Sequence, residues 1–390
     1  MLNRVIPLTR LVWPVVGASG AKALLQVVIA AAILSNSTPE NAIALFQLFF
    51  LQATCIALIS AAGYMRGFAT GESPDLIADL LASRLFLAVL VVALVVPFHS
   101  ALPGGEDLIM EKVLLAIGAV ATGLTAPLQG HLARTRGNLA GFGPSLLFSV
   151  LATILTVAIS WQSTPWAIAY LTLSQVGTLS LMLWRAKRIV RATAARLPSI
   201  ATMDFVASNL VVFFVGAANV AGMLFTFFIR EYWSAIVPKE AAATIFFMLR
   251  IADSVLGTAT LLMVRLDLRK HIATLRGPLG YIALLIALLI ALTSIHAAYY
   301  VVAMPFSIAI AQLVVELVRY PSSAAYIVQS SNPRSLRYLT FIILPQLIGA
   351  AIVFVTGWID STLGLQSFLV SVSLAALAIN TLQRPSTGTI

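Results

Sequence analysis

The chain is expected to be an all-α polytopic membrane protein, with about twelve transmembrane helices in two parallel six-helix repeats around a central cavity. Three observations predict this fold. Of 390 residues, 60% are hydrophobic and only 10% charged, a balance no soluble core accommodates. Apolar runs separated by short polar breaks recur from Leu11 to Leu382, each long enough to cross roughly 30 Å of hydrocarbon as a helix. A stretch dense in arginine, 185–204, falls near the midpoint with six runs on either side.

In order, the runs cover 11–34, 41–64, 80–98, 112–129, 143–160, 165–184, 205–229, 241–264, 279–296, 300–318, 339–357 and 364–383. The first follows Arg4 and Arg10 as a signal peptide would, but it is too long for the apolar region of one and leads directly into further spans. The domains are then an N-terminal six-helix half at 1–184, a basic linker at 185–204 and a C-terminal six-helix half at 205–390.

The net charge of +10 is a matter of topology. With the N-terminus inside, eighteen of the 24 Lys and Arg fall in cytoplasmic segments, while the outer loops hold Lys112, Arg230 and Lys239. This is the positive-inside bias, and it places both termini in the cytoplasm without calling for nucleic acid. All six Trp fall at span ends, where amphipathic rings favour the interface.

The two halves show traces of duplication. Val16-Gly17-Ala18 recurs as Val215-Gly216-Ala217, an offset of 199. The same offset lays TPENAIALFQLFF, from Thr38, on VPKEAAATIFFML, from Val237. Pro127 and Asn138 recur as Pro321 and Asn332, an offset of 194. Six spans per unit preserve orientation, and transporters built from parallel repeats place substrate between the halves and rock one against the other.

The familiar reaction signatures are absent. No Walker phosphate loop, H-E-x-x-H, C-x-x-C or G-x-S-x-G occurs, and the four His are scattered. The single cysteine, Cys55, lies mid-span with no metal-ligand spacing and reads as an inert buried thiol. No catalytic residue, metal or cofactor is expected, and the outer loops are too short for a catalytic domain. An enzyme is disfavoured.

Charges inside the bilayer are costly, so each marks a candidate site. Lys22 lies about halfway along the first span, in VVGASGAKALLQVV. Arg250 and Asp253 stand three residues apart in the eighth span and share a helical face. They form either a structural ion pair or a site in which the planar fork of Arg250 takes phosphate while Asp253 orients it or exchanges H⁺ or Na⁺. Arg84, near the start of the third run, is placed to snorkel to the cytoplasmic surface. Glu316 can pair with Arg319 one turn on. Gln26, Gln47, Gln52, Asn209, Asn219 and Gln312 suit interhelical hydrogen bonds or a sugar-binding cavity. Three cations against two acids, each acid close in sequence to a cation, favour an anionic substrate.

On these residues, the chain is similar to the multidrug/oligosaccharidyl-lipid/polysaccharide exporter (MOP) superfamily and resembles its bacterial polysaccharide (Wzx-type) flippases. The resemblance covers nearly the whole chain: spans, halves and basic linker. Locally it rests on the Gly-rich first span with Lys22, on REYWSAIVPKEAAATIFFMLRIADS around Arg250, and on Pro127–Asn138 with its repeat. It implies translocation of an undecaprenyl-pyrophosphate-linked oligosaccharide to the outer leaflet. Lys22 and Arg250 would act as cavity cations for the pyrophosphate, with Arg84 at the cytoplasmic mouth. Membrane lipids and glycan-assembly proteins would be the other partners. A cation-coupled multidrug exporter of the same superfamily and a membrane glycan-processing enzyme are the alternatives.

Overall fold

The computed structural model describes residues 2–60, 63, 67, 74–95, 99–159, 163–196, 234, 238–240, 242–244, 246–247, 250 and 254, and regular secondary structure among them is helical. The chain divides into two compact units, Met1–Glu231 and Tyr232–Ile390. In the first lie α1 (Leu2–Asn36), α2 (Pro39–Ser60), α3 (Pro74–Val95), α4 (Ile109–Arg136), α5 (Asn138–Ile159), α6 (Thr164–Arg185) and the short α7 (Lys187–Arg196). Among the described residues six helices, α1 to α6, are long and apolar enough to cross a membrane.

Local chemistry sets the helix starts. Pro39 and Pro74 open α2 and α3, each followed by an acid, Glu40 or Asp75, in the first turn. Proline loses no hydrogen bond there, and a carboxylate suits the positive end of the helix dipole. At α6 a proline again occupies the first turn, behind an extended Ser163. Between α4 and α5 a single residue turns the chain: Gly137, at φ 88° and ψ 165°. That region of backbone space is essentially open only to glycine.

The helices form the first unit by close pairing rather than around one apolar centre. α1 packs on α5, α4 packs on α6 and α2, α5 on α6, and α3 on α4 and α7. The inward stripe of α1 is Val15, Ala18, Leu25, Ile29 and Ile33, at helical spacing. On α5, by contrast, Leu139, Leu147, Val150, Ile154 and Val157 are exposed, as a lipid-facing surface requires. Trp13, Trp166 and Trp184 are exposed near helix or span ends, where an interfacial belt would place them.

Three features differ from the sequence reading. α3 begins at Pro74, six residues before the expected span, so Arg84 lies at the middle of the span Asp75–Ala93 and not at its mouth. The stretch expected to be a basic linker contains α7, whose Ile189 and Thr193 are buried while Arg188 and Arg191 are exposed. Lys112, expected in an outer loop, is buried in the first turn of α4, where its Nζ donates to the carbonyls of Leu102 and Gly105 and ties the loop before α4 to the helix.

The second unit supplies a short described stretch of helical backbone. Ala42 N–H donates to the Thr38 carbonyl at 2.9 Å, and Ala242 N–H donates to the Pro238 carbonyl at 2.9 Å, so the two helices open 200 residues apart. Thr54 Oγ1 donates to the Phe50 carbonyl at 3.0 Å, and Ser254 Oγ donates to the Arg250 carbonyl at 2.8 Å, as Thr and Ser do within helices generally. Ala42, Ile43, Phe46 and Thr54 are buried, as are Ala242, Ala243, Phe246 and Ser254, whereas Ala44 is buried and Thr244 exposed. Arg250 stands twelve residues past Pro238, as Phe50 stands twelve past Thr38. The remaining repeat counterparts, 215–217, Pro321 and Asn332, lie outside the described residues.

Candidate functional site

Lys22 sits in the middle turns of α1 and is half-buried. Ser19, Lys22 and Gln26 recur at three and four residues, so they form a polar stripe along one side of the helix. Ser19 is buried and Gln26 half-buried, which places the stripe at the edge of the face that packs on α5 and α6. Gly20, two residues before Lys22 and on another side of the helix, is exposed, and a Cβ built there meets nothing within 4 Å. The stripe sets a charged group near the middle of the span Trp13–Asn36.

Arg84 is fully buried, and among the described residues it is the largest side chain with less than 2% of its surface exposed. One turn before it, Leu80 and Leu81 join an apolar cluster with Ile77, Leu128, Leu132 and Met182. One turn after it, Leu87, Ala88 and Val91 join a second cluster with Ile59, against which Cys55 packs. Arg84 therefore lies between two greasy layers and does not snorkel to the interface. Its helix packs mainly on α4, α7 and α2, whereas that of Lys22 packs mainly on α5, α6 and α2. The two cations are held by largely different sets of helices.

A polar lattice, not anticipated as a unit, crosses the interior of α2, α4 and α6. Gln52 Nε2 donates to the Leu115 carbonyl at 3.0 Å and lies 3.5 Å from Gln175 Oε1. Thr172 Oγ1 donates to the Leu114 carbonyl at 3.0 Å. Gly118 makes room, since a Cβ there would stand 2.0 Å from Gln175 Oε1 and 2.8 Å from Gln52 Nε2. Gln52, read from the sequence as suited to an interhelical bond or a sugar-binding cavity, makes an interhelical bond. The partner that sequence reasoning missed, Gln175, was signalled by the polar interruption Ser174-Gln175 inside an apolar span. Such bonds fix helix register in a medium that offers no competing water.

In the second unit Arg250 is half-buried on helical backbone twelve residues beyond Pro238. Asp253, Glu316, Asn209, Asn219 and Gln312 lie outside the described residues. Among the described residues no group of three or more His, Cys, Asp and Glu could hold a metal ion.

Comparison of folds gives the class. An outward-facing multidrug resistance MATE family transporter of the MOP superfamily aligns at a TM-score of 0.58 and 17% identity, over 96% of this chain and 93% of that one. An inward-facing MATE family transporter of the same superfamily aligns at 0.56 and 16% identity, over 92% and 93%. A MOP superfamily transporter from Pyrococcus furiosus Vc1, whose binding pocket has a reverse polarity that suggests a different function, aligns at 0.57 and 18%, over 96% and 93%. No protein-family model and no curated protein matches the sequence. The chain has the all-helical, two-repeat fold of the MOP transporters, and this protein is a multi-pass membrane protein.

Proposed function

We propose that the chain is a flippase, carrying an undecaprenyl-pyrophosphate-linked oligosaccharide from the inner to the outer leaflet of the bacterial cytoplasmic membrane. It would work by alternating access, in the service of O-antigen or exopolysaccharide assembly. Transport by rocking halves is supported by the fold, whose neighbours include outward-facing and inward-facing forms. The substrate class rests on one observation: among the described residues, the charges in the middle turns of the spans of the first unit are Lys22 and Arg84, and Arg250 lies on helical backbone within the expected eighth span, all three cationic. A pyrophosphate leaving water needs such partners, because an uncompensated charge in a low dielectric is expensive.

In this reading Lys22 and Arg250, both half-buried, are the groups a pyrophosphate reaches. Arg84 is the third cation, enclosed by its neighbours in this conformation. Asp253, three residues from Arg250, and Glu316 are the proposed H⁺ or Na⁺ exchanging groups. The basic segments face the cytoplasm, and glycan-assembly proteins meet the chain there.

The test is a deletion strain assayed for lipid-linked oligosaccharide and its accessibility to a membrane-impermeant reagent. Build-up of a shielded intermediate, relieved by the wild-type gene and not by Lys22→Ala, supports the reading. No build-up in a strain lacking any redundant flippase rejects it. The MATE neighbours favour a second reading, a cation-coupled multidrug exporter. That reading predicts drug sensitivity on deletion, and dependence on Asp253 rather than Lys22. Polarity discriminates the two, and the Pyrococcus furiosus neighbour supports using it, since its reversed pocket polarity suggests a function other than that of its relatives.

A further inference from the structure

A cavity of about 500 Å³ opens where α4 and α6 end and α5 begins. Its polar rim is Arg136, the last residue of α4, and Arg185, the last residue of α6. Its apolar floor includes Leu139, Gly143, Leu147 and Leu181. Among the described residues no acidic side chain lines it. Arg185 Nη1 donates to the Ala140 carbonyl at 3.2 Å, which holds one guanidinium at the first turn of α5, the positive end of that helix.

The position along the membrane normal is marked independently. Trp184, beside Arg185, is 63% exposed, with Lys187 Nζ 5.4 Å from its ring centroid. An exposed Trp paired with a cation belongs at headgroup depth. Leu139 and Leu147 are 68% and 58% exposed, so the floor continues into the lipid-facing side of α5. Gly143 keeps that floor low: a Cβ there would meet Leu139 Cδ1 at 3.6 Å and little else.

We propose that this cavity is a binding site for one anionic glycerophospholipid. Its phosphate sits between Arg136 and Arg185, and an acyl chain runs over Gly143 and along Leu147. Two cations with no acid among the described lining residues select a headgroup with net negative charge over a zwitterionic one. By the positive-inside bias the lipid comes from the cytoplasmic leaflet. The site uses none of Lys22, Arg84 and Arg250, so it stands or falls apart from the transported substrate.

The experiment is native mass spectrometry of the purified full-length chain, titrated with palmitoyl-oleoyl phosphatidylglycerol or with phosphatidylcholine of the same chains. One phosphatidylglycerol should bind about tenfold more tightly than phosphatidylcholine. Arg136→Gln, at an exposed side chain, should remove about that tenfold preference. Gly143→Leu, which fills the floor and leaves both arginines in place, should weaken phosphatidylglycerol binding by a similar factor. Millimolar inorganic phosphate should not displace the lipid. Equal affinity for the two lipids, wild-type affinity in the Arg136→Gln/Gly143→Leu double variant, or displacement by inorganic phosphate would each overturn the proposal.

Discussion

Gly118→Ala adds one methyl at the point where α2, α4 and α6 exchange hydrogen bonds, and its cost follows from the geometry. The new Cβ would lie 2.0 Å from Gln175 Oε1 and 2.8 Å from Gln52 Nε2, so at least one amide must leave. Gln52 is anchored to the Leu115 carbonyl at 3.0 Å, and the longer contact to Gln175, at 3.5 Å, is the one that gives way. An interhelical hydrogen bond in a membrane bundle contributes about 0.6 kcal/mol on average. A buried acceptor left unsatisfied costs about 1–3 kcal/mol. Against this, alanine for glycine within a helix contributes about 1 kcal/mol of stabilisation. The single variant should therefore be destabilised by about 1–2 kcal/mol in reversible SDS titration of the full chain in mixed micelles. With Gln175→Ala already present the closer amide is gone and only Gln52 Nε2, at 2.8 Å, has to shift, so the same methyl should be about neutral. The helix-propensity gain appears on both sides of the double-mutant cycle and cancels, which isolates a coupling of about 1–2 kcal/mol. Effects additive within about 0.5 kcal/mol would refute the lattice as drawn.

The other expectations concern single positions. Gly137→Ala should destabilise by about 1–3 kcal/mol in the same titration, by backbone strain alone, because φ is 88° and an added Cβ meets nothing within 4 Å. Lys112→Met should free the loop before α4, since the carbonyls of Leu102 and Gly105 lose their donor; hydrogen exchange in 102–108 should rise at least several-fold, and unchanged exchange there would refute the tie. Arg250→Phe removes the charge and puts in the residue that stands twelve past Thr38 in the first unit, as Arg250 stands twelve past Pro238. The variant should reach the membrane and unfold within about 0.5 kcal/mol of wild type. It should also fail to relieve accumulation of lipid-linked oligosaccharide, and normal relief would remove Arg250 from the proposed site.

The spans of the first unit were legible because length and apolarity suffice for them: those expected at 112–129 and 165–184 match α4 and α6 with only their ends extended. The third was displaced for a physical reason. Asp75, Asp79 and Arg84 lower the local hydropathy and read as a boundary, whereas a helix begins at a proline and tolerates carboxylates in its first turns. Six residues of displacement turned a mid-membrane arginine into an interfacial one. The basic stretch hid α7 similarly, because its charges obscure the spacing of Ile189 and Thr193, which are buried one turn apart. Lys22 and Gln52 were legible as polar groups inside apolar runs. The link between Gln52 and Gln175 was not, since 123 residues separate them and only packing brings them together.

The register of the repeat bears on the site more than either half does alone. Matching prolines give an offset of 199, while the first backbone bonds of the two helices fall 200 residues apart. Proline is a poor marker at this resolution of argument: having a carbonyl and no N–H, it fits either just before a helix, as Pro238 does, or at its first residue, as Pro39 does. Counted from those first bonds, positions 42, 43, 46 and 54 have counterparts that are also buried, while buried Ala44 meets exposed Thr244. Phe50 and Arg250 are both half-buried. A charge inside an apolar span is costly to keep, and the proposed anion site is the reading that gives Arg250 a use for that cost. That makes the lone substitution of Arg250, with Lys22 in the first unit as its companion, the most direct probe of an anionic cargo.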